Sequence, residues 1–264
     1  MTAKNQTVET SRPNTARVCN VLLGGRDGYE LDLLVAQPLL NSQLTIAMRE
    51  ARRFARRAIE HLRNQHQVHQ VVELGCGFPL HPDIGEITAD AKNTSRTLYI
   101  DNDVLAATHA RALLTEPSSV VSEVDLTDVT AVLAKITAVM DYTETVALCL
   151  SGTAELLADA PAVLGALTRQ LPPGTWIVFS HITDDISRDD IDIAVEALGD
   201  AGIAFHPRDR DTITTMLAPY RLAAPGLIAP HRWRPTDTAH DTLRPQHPDT
   251  WDLAAYAAIG QLPH

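Results

Sequence analysis

Cysteine is scarce, with three in 264 residues, at Cys19, Cys76 and Cys149. An odd number at wide spacing argues against a disulfide framework or a zinc knuckle, and no metal is expected; a reducing cytoplasm fits. Long apolar runs are also missing: no stretch approaches the ~18 residues of a membrane span. The opening MTAKNQTVETSRPN lacks the apolar core of a signal peptide and reads as a flexible tail over 1–12. Aromatics make up 5%. Positive charge is short overall, with Lys+Arg 22 against Asp+Glu 33 and a net charge of −11. Such a surface repels phosphate backbones and anionic lipid, so neither a nucleic-acid nor a membrane partner is expected.

What is present suits a globular enzyme-sized chain. Hydrophobic residues are 45% and charged residues 21%, within the ordinary range, and 28.8 kDa suits one large domain or one domain with a cap. The few cations cluster early, in Arg49, Arg52, Arg53, Arg56, Arg57 and Arg63. No stacking aromatics interleave them. A solvated or subunit-facing helix is therefore expected there, which leaves a homodimer open.

The central chain repeats one rhythm. Apolar runs end at Leu74, Ile100, Val124, Leu150 and Ser180, and helical patterns separate them. Continuous apolar runs joined by helices predict parallel strands buried on both faces. Right-handed crossovers then give an α/β sheet with helices on both sides. Asp83, Asp103 and Asp128 stand at expected helix starts. TARVCNVLLGG predicts a short helix stopping at Gly24-Gly25, and NSQLTIAMREARRFARRAIEHLRNQ a long one. YRLAAPGLIAP and WDLAAYAAIG are candidate last strands. Between them, a Pro-, Thr- and His-rich loop is expected over 231–250.

The segment VVELGCGFP carries the most chemistry. A strand delivers Gly75-Cys76-Gly77 into a turn, where glycine permits positive φ and close approach of a ligand. The sixth place of a dinucleotide fingerprint is Leu80 rather than glycine, and no P-loop lysine follows. Glu73, two places before the first glycine, suits a ligand bearing positive charge, such as the sulfonium and ammonium of S-adenosyl-L-methionine. Asp101 ends the second strand, where a carboxylate can accept ribose hydroxyls. Asp125 ends the third, where it can accept from an adenine amino group while Leu126 faces the ring. Ser151-Gly152 ends the fourth, on the side of the sulfur.

RPNTARVCNVLLGGRDG, VVELGCGFP, LYIDNDVLAATHARALL, LPPGTWIVFSHIT and LIAPHRWRP together resemble the actinobacterial S-adenosyl methyltransferase family also called DUF574. The resemblance runs from about residue 12 to 260. It implies a Rossmann-like class I methyltransferase sheet over 69–264, an N-terminal helical cap over 13–68, and S-adenosyl-L-methionine as cofactor. The implied binding positions are Glu73, Gly75, Gly77, Asp101, Asn102 and Asp125. Arg17 and Arg26, in the cap, are candidates for the cofactor carboxylate, which a guanidinium fork suits. Cys19 replaces the family's usual Tyr, and Ser151-Gly152-Thr153-Ala154-Glu155 replaces a segment that usually contains Leu-His.

His181 and Glu155 are the candidate general bases, since both follow strand ends on the functional edge. The expected reaction is methyl transfer to a small-molecule nucleophile, and the resemblance implies specialised metabolism. The altered segment after the fourth strand keeps a second reading open, cyclisation or elimination of the cofactor itself. A non-catalytic cofactor-binding protein is a third.

Overall fold

Among the described residues, seven strands form one sheet: β1 Gln70–Leu74, β2 Arg96–Asp101, β3 Ser119–Glu123, β4 Val146–Ser151, β5 Trp176–Ile182, β6 Arg221–Leu222 and β7 Ala255–Gln261. Their order is β3-β2-β1-β4-β5-β7-β6. The computed structural model describes residues 10–89, 95–114, 116–234 and 252–264. Most of the tail expected over 1–12, and most of the loop expected over 231–250, lie outside the described residues.

The first five strands pair in parallel and end within two residues of the apolar-run ends. β7 enters antiparallel to β5, and the two-residue β6 is antiparallel to β7. The apolar run of β7 is legible in sequence, but its direction is not, because such a run reads alike both ways.

Side chains alternate across the strands and build two cores. Val72, Leu74, Leu98, Ile100, Leu148 and Leu150 face α6 (Val129–Val139), α7 (Ala160–Thr168) and α9 (Arg210–Leu217). Val71, Tyr99, Ala147, Cys149 and Val178 face α3 (Gln43–His66) through Phe54, Ala55, Ala58, Ile59 and Leu62. The carboxylates of Asp83, Asp103 and Asp128 cap the first free N–H groups of α4 (Ile84–Thr88), α5 (Val104–Leu113) and α6, as their positions imply.

The 13–68 segment divides. α1 (Thr15–Leu22) stops before Gly24-Gly25 as expected, while α2 (Glu30–Ala36) carried no pattern long enough to read. α3 is a layer of the sheet, against β5 and β7. α1 and α2 share a third core with Ile182 and with Ile191 and Leu198 of α8 (Arg188–Asp200). The cap is thus continuous with the sheet domain in its packing. No helix among the described residues is long and apolar enough to cross a membrane.

Arg49, Arg52, Arg56 and Arg57 of α3 make bonds within the chain, which departs from the solvated or subunit-facing row expected. Arg49 Nε donates to the Leu22 carbonyl at 2.7 Å, and Arg56 Nη2 to that of Leu80 at 2.8 Å. Arg57 Nη2 donates to the Pro230 carbonyl at 2.7 Å and pairs with Glu50 at 2.9 Å. Arg52 pairs with Glu73 at the end of β1. Free carbonyls at turns and helix ends need donors, and guanidinium groups reach them from a rigid helix.

Phe54 is fully buried, and its ring meets Trp233 edge-on at 5.3 Å. Phe54→Ala should lower stability by about 3–5 kcal/mol through lost contacts and a residual cavity. Denaturant titration checks this, and a loss under about 1 kcal/mol would show that the α3 layer can collapse around the gap.

Candidate cofactor site

The loop after β1 is built on two glycines with different duties. Gly75 has φ +68, and an added Cβ would lie 2.2 Å from Thr153 Cγ2. Thr153 cannot withdraw freely, since its hydroxyl donates to the Leu74 carbonyl at 3.0 Å. Gly77 has φ +61, and a Cβ there would meet nothing within 4 Å, so this residue borders open space. The N–H groups of the turn are already used. Gly75 and Cys76 both donate to the Ile100 carbonyl, at 2.7 and 3.2 Å, and Gly77 donates to Asp101 Oδ2 at 2.7 Å.

A cavity of about 310 Å³ opens above this turn, at the low end of the range for small-molecule pockets. Its floor is the carboxyl edge of the sheet and its roof is α1 with part of α3. Asp101 is 8% exposed and also accepts from the Asp103 N–H at 2.9 Å. Burial raises its pKa, and the N–H groups of Asp103 and Gly77 oppose that rise. Asp125 is exposed, and the backbone and hydroxyl of Thr127 hold its pKa below the usual range. Asn102 Nδ2 lies 3.4 Å from Asp125 Oδ2 and joins the two strand ends.

Seven expected binding residues line this one cavity: Gly75, Gly77, Asp101, Asn102, Asp125, Leu126 and Ser151. The others are placed elsewhere. Glu73 is 3% exposed and does not line it; its carboxylate is turned to Arg52, which does. Arg17 is 3% exposed and pairs with Asp32 at 2.5 Å, so its charge is spent between α1 and α2. Arg26 is exposed on the turn after α1, outside the cavity.

His181 and Glu155 are fully buried and do not line the cavity either. His181 Nδ1 contacts the Ile182 carbonyl at 2.7 Å, and Nε2 lies 2.9 Å from Arg208 Nη1. A carbonyl only accepts and a guanidinium only donates, so Nδ1 carries the proton and Nε2 receives one. The ring is neutral with no lone pair to spare. Glu155 Oε1 accepts from the Ile182 N–H at 2.9 Å. Arg208 also donates to the carbonyls of Ala154 and Leu157, at 3.0 and 2.7 Å. These three groups therefore brace the 154–158 segment, whose Leu156 and Leu157 form a cavity wall.

The residues that sequence reasoning missed are mainly in the roof: Asn14, Cys19, Asn20, Met48 and Arg52. A polar Asn20 between Cys19 and the apolar Val21-Leu22 was a usable signal. Arg52 gave none, since nothing local marks its partner at Glu73. His81, Asp83 and Glu86 bring ligand-type atoms within 4.8 Å of one another. They are engaged as a capping box at the start of α4, with His81 Nδ1 on Glu86 at 3.0 Å.

Burial lowers the His181 pKa, ahead of opposing effects from Glu155 and the Ile182 carbonyl. In the unfolded chain a histidine titrates near pH ~6.5. Below that pH the unfolded state binds the extra proton, so stability falls as pH drops from about 6.5 toward the folded value. His181→Gln should flatten the fall in Tm between pH ~7 and ~5 while lowering Tm at neutral pH. Thermal unfolding across pH checks this; an unchanged slope would assign the acid sensitivity to other groups.

With that geometry in place, the likenesses to other proteins become informative. The model of a family described as S-adenosyl methyltransferase matches residues 1–263. A DUF574 family protein from Streptomyces avermitilis MA-4680 superimposes with a TM-score of 0.86 at 24% identity, covering 97% of this chain and 100% of its own. A protein from Thermobifida fusca YX gives 0.85 at 24% identity over 97% of both chains. The plantazolicin methyltransferase BpumL, crystallised with SAH, gives 0.51 at 10% identity over 94% and 95%. At these identities the structural likeness speaks for the fold. No curated protein matches the sequence. By a match over nearly its whole length, the chain belongs to the S-adenosyl methyltransferase family, with a class I methyltransferase fold and S-adenosylmethionine as its cofactor.

Proposed function

We propose that this methyltransferase acts on a small, largely apolar acceptor that enters the cavity between α1 and the 151–157 segment. The convergence of the glycine turn, Asp101, Asp125 and an apolar roof on one cavity carries this reading. The residues fit the cofactor: open space borders Gly77, and Asp101 presents a buried carboxylate whose oxygens each keep a lone pair beyond one N–H contact. Asp101 receives the ribose hydroxyls. Asp125 and Leu126 receive the adenine. Asn102 supports Asp125, and Ser151 stands on the sulfur side.

S-adenosylmethionine supplies an electrophilic methyl group, so the chain's work is to orient and to exclude water. Leu23, Met48, Leu156 and Leu157 give the acceptor side an apolar wall. Among the described lining residues, the ionisable side chains besides Asp101, Asp103 and Asp125 are Arg52, Cys19 and Cys76. Burial, then the charges of Glu155 and Asp101, push the Cys19 thiol up to about 12. The three carboxylates are tied to N–H groups beside the adenosine subsites. No roof group therefore takes a proton at neutral pH, and the acceptor attacks with a lone pair it already has. The net charge of −11 supports a small molecule over a nucleic acid, and the family resemblance supports specialised metabolism.

Calorimetry with S-adenosylhomocysteine tests the site. Asp101→Ala should weaken binding roughly tenfold or more, since it removes buried charge-assisted hydrogen bonds. Asp125→Ala should cost only about twofold to fivefold, because its carboxylate stands in water. Equal affinities in parent and Asp101→Ala would overturn the placement. With acceptor present, the product expected beside a methylated acceptor is S-adenosylhomocysteine; methylthioadenosine without a methylated product would identify cofactor cleavage instead.

A further inference from the structure

Asn20 carries an open hydrogen-bond donor into the cavity wall. The residue lies on α1, lines the cavity and is 2% exposed. Its Oδ1 accepts the Asp27 N–H at 3.0 Å, which fixes the two ends of the amide. Nδ2 is then left buried with no partner among the described residues. A buried donor without an acceptor costs about 1–3 kcal/mol, and such a cost is commonly met where a ligand completes the bond.

The turn after α1 is shaped around this amide. The Gly25 N–H donates to the Asn20 carbonyl at 2.8 Å, and an added Cβ on Gly25 would lie 2.3 Å from both amide heteroatoms. A larger residue at 25 would displace the Asn20 side chain. The Gly24-Gly25 pair thus does more than end the helix.

Arg52, which also lines the cavity, carries a second unpartnered buried donor. It pairs with Glu73, but its buried Nε has no partner among the described residues. The two residues belong to helices that are joined near this point. Arg49, one turn before Arg52, donates to the carbonyl of Leu22, two residues after Asn20.

Several other donors around the cavity are engaged. The three N–H groups of the glycine turn go to Ile100 and Asp101. Asn14 Nδ2 donates to Asp103 at 2.7 Å, and Asn102 Nδ2 to Asp125. The hydroxyls of Ser151 and Thr153 have carbonyl partners, Ala51 and Leu74. Asn20 Nδ2 and Arg52 Nε are thus two unpartnered buried donors on residues of one cavity otherwise edged by aspartates.

We propose that Asn20, together with Arg52, holds the α-carboxylate of the cofactor's amino-acid end. This replaces the sequence-based assignment of that carboxylate to Arg17 or Arg26, and it rests on the cofactor site described above. An anion suits these donors, because amide and guanidinium N–H groups only donate and an ammonium or sulfonium could not accept from them. The cap is then part of cofactor recognition, and Gly25 acts through Asn20 as a positioning residue.

The test compares two ligands by calorimetry on the full chain. S-adenosylhomocysteine carries the carboxylate, and 5′-methylthioadenosine keeps the nucleoside and sulfur but lacks the amino-acid end. Asn20→Ala should weaken S-adenosylhomocysteine about tenfold and leave methylthioadenosine within about twofold. Asn20→Asp keeps the size and the acceptor for the Asp27 N–H, so it guards against simple unfolding. It should weaken S-adenosylhomocysteine more than Asn20→Ala does and still spare methylthioadenosine. Equal losses for both ligands, or no loss for either, would overturn the proposal while leaving the cofactor site standing. A parent chain that binds neither ligand would overturn both.

Discussion

The buried pair between Arg52 and Glu73 sets the position of nearly everything above the sheet. It joins the middle of α3 to the end of β1, directly beneath the glycine turn, with side chains 13% and 4% exposed. Two charges taken out of water are costly, and their attraction only offsets that cost when both are present. Burial alone would lower the Arg52 pKa, but the Glu73 carboxylate raises it on balance. Removing one partner from such a pair typically costs about 3–5 kcal/mol, so the register of α3 on β1 is strongly held. Met48 and Arg52, one turn apart, are thereby presented to the cavity.

The roof follows from that register. Once α3 is fixed, Arg49 reaches the last carbonyls of α1, and α1 takes its place over the glycine turn. The buried Arg17–Asp32 pair then sets α2 against α1. On the floor, Asp101 performs the matching task. One carboxylate oxygen holds the turn at Gly77 and the other holds the start of the α5 segment at Asp103. A single ligand touching Asp101 and the roof would therefore feel both halves of the molecule. The cavity wall at Leu156 and Leu157 is braced separately, from behind, by Glu155, His181 and Arg208.

Much of this is legible in the sequence, and the division is physical. Strand ends, the glycine turn and the aspartate caps are local: each is signalled by residues within a few places of one another. Asp101, Asn102, Asp125, Leu126 and Ser151 were found because strand ends on one edge of a parallel sheet must lie together. His181 and Glu155 belong to that edge in sequence, yet both are fully buried and do not line the cavity. Arg17 and Arg26 also lie off the cavity, because charge in a cap says nothing about direction.

The sequence by itself determined the alternating sheet, the glycine turn, and the row of acidic groups along one sheet edge, since short-range patterning dictates each of them. Only the tertiary structure decided which polar groups are left open. The α3 arginines show why: Arg57 meets Pro230 and Trp233 more than 170 residues away, and Arg52 meets Glu73 across a layer boundary. A side chain's chemistry is written in its own residue, but whether that chemistry is spent or free depends on partners that only folding brings near.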